Sequence, residues 1–347
     1  MGAWRWLMGK ITIQSMAREL GLSRNTVSMA LKGNELVTPR TRERILRYAE
    51  EIGYIESPPQ DDGQTQEEAP PHQVVIVRKP DVAVYWDKVV NGISEEACKN
   101  HCRPRVAVIS REDEEKKILP SGLDEGVEAV FCVKMLDHDY VRRIRQMGIQ
   151  VILLDDYKNT TNEKLGDVVE PESFQPTVLL TRHLIDQGMR RIGFLNENSR
   201  AYETMHDRFE GYLFAMRQAG IEPDPRLVKS DIGGEFYDPG NFERIVESYT
   251  VLPEAVVCGN DEIAKYLTQA LRRKGIRVPE DVAVTGFDND EEGMLDPFFT
   301  TVNVDVKWLG KRMVQCFLWR MAHPAAPYEK IVVSGEVIIR KSSIKHK

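Results

Sequence analysis

The chain has 347 residues, 41% apolar and 29% charged, with a net charge of −7. That length holds a small module plus a large one of one or two lobes, and the apolar share supports well-buried cores rather than disorder. No apolar run approaches the ~20 residues of a membrane-spanning helix, and the start MGAWRWLMGK lacks a signal-peptide core of usable length, which points to the cytoplasm and to no membrane partner.

The charge is unevenly spread. Residues 1–55 hold nine Lys and Arg against five Asp and Glu, and the remainder holds 38 against 49. A basic end on an acidic body suits phosphate contact through that end. Residues 1–8 read as an N-terminal extension and 9–55 as a three-helix unit. Ile13, Ala17 and Leu20 recur at i, i+4, i+7 on a first short helix, which Gly21 ends. Ser23 is placed to cap a second helix, ended by Gly33. On it Val27, Ala30 and Leu31 face inward, leaving Arg24, Asn25, Ser28 and Met29 outside, as a recognition helix requires. Thr38 and Pro39 start a third helix whose buried face is Ile45, Tyr48, Ala49 and Ile52. Arg24 matches the two acceptors of guanine, Asn25 matches the adenine edge, and Met29 offers apolar contact to a thymine methyl. Ser23, Thr26, Ser28 and Lys32 are the candidate phosphate contacts.

Residues 56–72 read as a linker, with four prolines, five acids and no Lys or Arg. Beyond it, short apolar runs predict buried parallel strands at 74–77, 106–109, 129–133, 151–154, 192–195, 255–258 and 282–287. Amphipathic helices, among them 175–187, 207–219 and 261–274, lie between most of them. This alternation predicts doubly wound α/β layers, with too many strands for one sheet and hence two lobes around a cleft. The five cysteines form no CxxC pair; Cys98, His101 and Cys102 fall in one predicted helix with two ligands missing, so neither a metal nor a cofactor is expected.

Open α/β sheets bind ligands beyond the carboxyl ends of their strands. Asp155, Asn260 and Asp288 follow three of the predicted strands, and Arg208 lies near the start of a helix that can reach the same cleft. A carboxylate, an amide and a guanidinium suit the hydroxyls of a small polar ligand. Tyr85 and Trp86 follow the first strand, where they can stack on a sugar ring. Each also has a purely structural role open to it: a helix cap for Asn260, a turn for Asp288, an ion pair for Arg208 and a core position for Trp86. No GxSxG, Walker loop, GxGxxG after a strand or HExxH occurs, so no enzyme is expected.

The run LSRNTVSMALKG, followed by VTPRTRERILRYAEEIGY, closely resembles the headpiece of the LacI family of bacterial transcription regulators. The likeness continues through RHLIDQGMRRIGFL at 182–195, DRFEGYLFAMRQAGI at 207–221, the long run at 256–290 and TTVNVDVKWLGKRM at 300–313, nearly the whole chain. It implies a small all-α helix-turn-helix headpiece followed by a two-lobed, type I periplasmic-binding-protein-like sensor. Lobe 1 would be residues 73–170 and 304–326, lobe 2 residues 171–303 and 327–340, and 341–347 a basic tail, with crossings near Glu170, Asn303 and Ala326. Arg24, Asn25 and Met29 occupy the family's specificity positions, although Arg is commoner than Met at the last. Arg208, Asn260 and Asp288 match effector-touching positions, and Asp155 does so more weakly. The family's hinge helix, with its minor-groove leucine, has no counterpart. The same stretch here is acidic, holds Pro58-Pro59 and has no leucine between Tyr54 and Val74. Little DNA bending is therefore expected.

The function expected is a ligand-responsive regulator, a repressor, that binds a near-palindromic double-stranded DNA operator as a homodimer and is controlled by a small-molecule effector such as a sugar. A regulator governed by a protein partner with a degenerate cleft is the alternative, and a solute-binding protein a third.

Overall fold

The computed structural model describes residues 12–31, 37–52, 54, 70–80, 84–123, 126–134, 136–156, 163–197, 202–230 and 236–345. The chain divides into two units, Met1–Ala69 and Pro70–Lys347.

The first unit is built on helices α1 (Ile13–Leu20), α2 (Arg24–Leu31) and α3 (Pro39–Glu51). Thr12 and Ser15 form a reciprocal capping box at the start of α1, and Gly21 ends it in the left-handed region at φ 66°. Met16, Ala17 and Leu20 are buried against Val27, Ala30, Ile45 and Ala49. Arg44 fastens α3 to α1 by donating to the Leu20 carbonyl at 2.9 Å.

In the second unit the chain runs β1 (His72–Arg78), α4 (Val84–Lys99), β2 (Cys102–Val108), α5 (Arg111–Glu115), β3 (Val127–Cys132), α6 (His138–Gln146), β4 (Gln150–Leu154) and β5 (Asp167–Pro171). It continues through α7 (Phe174–Asp186), β6 (Ile192–Leu195), α8 (Glu203–Gln218), β7 (Val228–Lys229), α9 (Pro239–Glu247), β8 (Ala255–Cys258), α10 (Asp261–Arg273) and β9 (Ala283–Thr285). Then follow β10 (Thr301–Asn303), α11 (Val306–Ala322), β11 (Lys330–Val333) and β12 (Glu336–Ile338). Among the described residues the two larger sheets are ordered β11-β5-β4-β3-β1-β2 and β7-β6-β8-β9, with every pairing within them parallel, and β10 and β12 form a third, two-stranded sheet. Both faces of the larger sheet are covered. Val74 and Ile76 of β1 pack toward α4 and α11, while Val75 and Val77 pack toward α6. Burial on both faces is why this strand reads as an unbroken apolar run rather than an alternating one.

Several expectations need correction. The third crossing falls between Val333 and Glu336, not near Ala326. Strand β11 pairs with β5, Lys330 opposite Val168, so residues 330–333 complete the first-lobe sheet. Only β12 belongs with β10, antiparallel. Gly335 sits at this crossing because a Cβ there would meet the Val302 side chain at 2.7 Å. Residues 341–345 are not a free tail. The Ser342 hydroxyl donates to the Val284 carbonyl at 2.6 Å and accepts from the Thr300 amide at 2.8 Å, docking the segment on the second lobe. Cys98, His101 and Cys102 do not share a helix: α4 stops at Lys99, His101 turns at φ 54° and Cys102 opens β2. That strand is an edge, with Val106 and Val108 exposed rather than buried. The run at 282–287 is extended over Ala283–Thr285 alone. Helix α8 begins at Glu203, four residues before the expected start, because its first turn is held by the other lobe: the Glu203 amide donates to the Asp156 carbonyl at 3.0 Å.

Candidate functional site

On the first unit, Ser23, Arg24 and Asn25 are exposed, and Thr26 and Ser28 are half-buried. The Ser23 hydroxyl accepts from the Thr26 amide at 3.0 Å, capping α2 and presenting its first turn. Met29 is half-buried and packs on the headpiece core instead of facing wholly outward. Lys32 lies outside the described residues.

In the second unit a cavity of about 260 Å³ lies between the two sheets' carboxyl ends. Tyr85, Trp86, Asp155, Arg208, Asn260 and Asp288 all line it. The first lobe supplies Tyr85 and Trp86 from the start of α4, their rings edge to face at 4.8 Å, and Asp155 from the end of β4. The second supplies Arg208 from α8, Asn260 from the mouth of α10 and Asp288 from beyond β9.

Arg208 is 3% exposed. Its guanidinium lies 3.7 Å from the Phe287 ring centroid, donates to the Gly259 carbonyl at 2.5 Å and approaches the Asp288 carboxylate at 3.4 Å. Asp288 holds a left-handed φ of 99° and its amide donates to the Val302 carbonyl. Asp155, at φ 65°, accepts from the Thr204 hydroxyl across the cleft and from the Asp156 amide at 2.8 Å. A non-glycine residue in this region is uncommon and costs backbone energy, so both turns that deliver a carboxyl to the cleft are strained. Burial pushes the Asp155 and Asp288 carboxyls up to about 6, against the lowering effect of hydrogen bonds and Arg208. Asn260 does two jobs: its carbonyl caps the Ile263 amide at 2.8 Å and its amide group donates to the Tyr237 hydroxyl at 3.1 Å.

Sequence reading missed Lys134, Glu197, Tyr202, Thr204, Tyr237, Glu262 and Asp290, which also line the cavity. Lys134 and Glu197 follow β3 and β6, so the strand-end rule that found Asp155 would have reached them. Nothing local marks Tyr237, which arrives from a turn before α9.

Residues 12–57 match the lacI family of bacterial regulatory proteins, and residues 181–343 match the periplasmic binding protein-like domain. The chain thus joins a lacI-family helix-turn-helix region to a periplasmic-binding-protein-like one. The HTH-type transcriptional repressor PurR of Pasteurella multocida (strain Pm70) is 25% identical over 344 residues, covering 95% of this chain and 98% of that protein. The transcriptional regulator CelR in its cellobiose complex superimposes with a TM-score of 0.67 at 23% identity, over 96% of this chain and 100% of that one. The lac repressor dimer bound to operator and the anti-inducer ONPF does so at 0.65 and 19%, over 97% and 100%. At such identities these two structures establish the fold and no more. The chain is a transcription regulator with a helix-turn-helix DNA-binding domain and a periplasmic-binding-protein-like domain.

Proposed function

We propose that this regulator is a cytoplasmic repressor, not an enzyme, that binds a near-palindromic operator as a homodimer and is controlled by a small polar effector in the interlobe cleft. The observation that carries the reading is the convergence of Asp155 from one lobe with Arg208, Asn260 and Asp288 from the other on a single cavity. These groups present acceptors and donors to hydroxyls, and Trp86 and Tyr85 supply faces for a ring. Because both lobes contribute, a bound ligand has more contacts when the lobes are closed, and it biases closure by that difference. Closure changes the separation of paired headpieces, which couples effector to operator. CelR is described with cellobiose and the lac repressor with operator and an anti-inducer. Both fit this scheme.

A thermal-shift screen of sugars, nucleosides and polyols finds the effector, since a ligand that binds only the folded state raises the midpoint. Asp288→Ala and Arg208→Ala are then expected to abolish ligand response while operator binding persists. If both variants respond at the wild-type ligand concentration, the cleft is not the effector site. A chain that binds its operator yet takes no small molecule is governed by a protein partner instead.

A further inference from the structure

Among the described residues, five carboxyl side chains line the cleft, those of Asp155, Glu197, Glu262, Asp288 and Asp290, against two cationic ones, Lys134 and Arg208. Asp155 and Asp288 belong to the hydroxyl-binding set described above. The other three form a second group at the carboxyl ends of β6 and β9 and the first turn of α10. Arg208 is committed to Gly259 and Asp288 and lies on Phe287. Lys134 has its ammonium 5.8 Å from the Trp86 ring centroid; burial lowers its pKa, with Glu197 and Glu262 opposing and Lys79 adding to the lowering. The amino end of α10, which would otherwise attract an anion, already has Asp261 and Glu262 in its first turn, and Asp261 accepts from the Asp290 amide at 2.8 Å. From outside, Lys265 approaches Asp290 only to 3.7 Å. Burial holds the Glu197 carboxyl above its ordinary range against Lys134 and the Tyr237 hydroxyl, and burial together with the like charges of Asp290 and Glu197 does the same to Glu262, so charge in this confined space is strained. A ligand cation relieves that strain and a ligand anion adds to it. Aromatic walls favour a cation by the same sign, since ring faces are negative.

We infer that the effector is a hydroxylated small molecule bearing a positively charged amine, such as an amino sugar, whose ammonium sits by Glu197, Glu262 and Asp290. Phosphorylated and carboxylate-bearing metabolites are excluded. This rests on the reading of the cleft as an effector site, and it adds the ligand's charge.

The test fractionates a polar-metabolite extract of the host cells by ion exchange into cation-retained, neutral and anion-retained pools, freed of salt. Each pool is added to the full chain and the thermal midpoint is read. The cation-retained pool is expected to raise the midpoint on the order of 5 °C, the scale of a ligand well above its dissociation constant. The isosteric variants Glu197→Gln and Glu262→Gln, whose unliganded midpoints report their folding, are each expected to bind it about tenfold more weakly, as for one lost charge-assisted hydrogen bond. A shift from the neutral or the anion-retained pool overturns the inference and leaves the effector site standing. So does an undiminished response to the cation-retained pool in both variants. No shift from any pool removes the effector site itself, and the inference falls with it.

Discussion

Glu203, the first residue of α8, meets Lys330 of β11 at 3.0 Å, and so joins the second lobe to the first-lobe sheet. The same ammonium lies 2.8 Å from Glu170 on β5, whose carboxyl is 2% exposed and leaves one oxygen without a partner. Burial pushes Glu170 up to about 7, with Lys330 opposing. Lys330 is more than a third exposed, so solvent screens the pair, and Glu170 can take up a proton once the ammonium is gone. Lys330→Met is therefore expected to destabilise the second unit by only about 1 kcal/mol. Adding Glu170→Gln is expected to recover part of this. Urea titration of the wild type and the two variants checks it, and a lossless single variant would show the pair to be ornamental.

Protonation of the cleft follows from the same burial. Asp155 and Asp288 are raised to about 6 and Glu170 to about 7. Each carboxyl holds its proton more tightly in the folded chain than in the unfolded one. Its stabilising contribution is therefore fully present below the ordinary carboxylate range and is lost as pH rises through the folded value. The Asp288→Asn, Glu170→Gln double variant is expected to lose less stability than the wild type between about pH 5 and 7.5. Denaturation midpoints across that window measure it; parallel curves would contradict it.

Gly92 of α4 and Gly310 of α11 face one another so closely that a Cβ on the first would strike the Lys307 carbonyl and one on the second the Val89 carbonyl. Backbone cannot swing aside as a side-chain end can. Gly92→Ala and Gly310→Ala are each expected to destabilise by about 3 kcal/mol, at the upper end of overpacking costs. A lowered thermal midpoint is the readout, and unchanged midpoints would mean the helices can separate freely.

Arg24 is exposed in the first turn of α2. Arg24→Ala is expected to weaken binding to the preferred duplex by about 1–3 kcal/mol and to relax the base preference at one position. Binding to random duplex should change little. Titrations on both duplexes at one salt concentration decide it, and an equal loss on both would make Arg24 a phosphate contact.

Between Tyr54 and Val74 the chain has no leucine to wedge a base step, and it carries Asp61 and Asp62, which phosphate repels. Residues 55–69 lie outside the described ones, so this expectation stands on sequence. Circular-permutation electrophoresis of operator complexes is expected to show little bending. A sharp kink would require a different wedge.

Much of the architecture was legible in the linear chain. Val74–Val77 and Ala255–Cys258 announced strands because their neighbours cover both faces, and each apolar run records that burial locally. Asp155, Asn260 and Asp288 were legible because strand ends open into a cleft in any such layer. Met29 was misjudged as wholly outward because helical spacing gives a direction and not the depth of the neighbouring core.

Tertiary structure alone decided the rest. Whether 330–333 joins the first sheet or the second depends on β5, some 160 residues earlier, and the run KIVV is compatible with either. The docking of Ser342 depends on an acceptor at Val284, and the Tyr237 hydroxyl meets its cleft partner Asn260, 23 residues later, only in the folded chain. Likewise Arg208 and Asp288 become a set through the packing of α8 beside β9's end. The amino-acid sequence by itself determined which segments bury apolar faces and which chemical groups stand at their ends. Periodicity reports each segment's own environment, whereas partners, edges and shared cavities are properties of pairs distant along the chain, and only packing brings those pairs together.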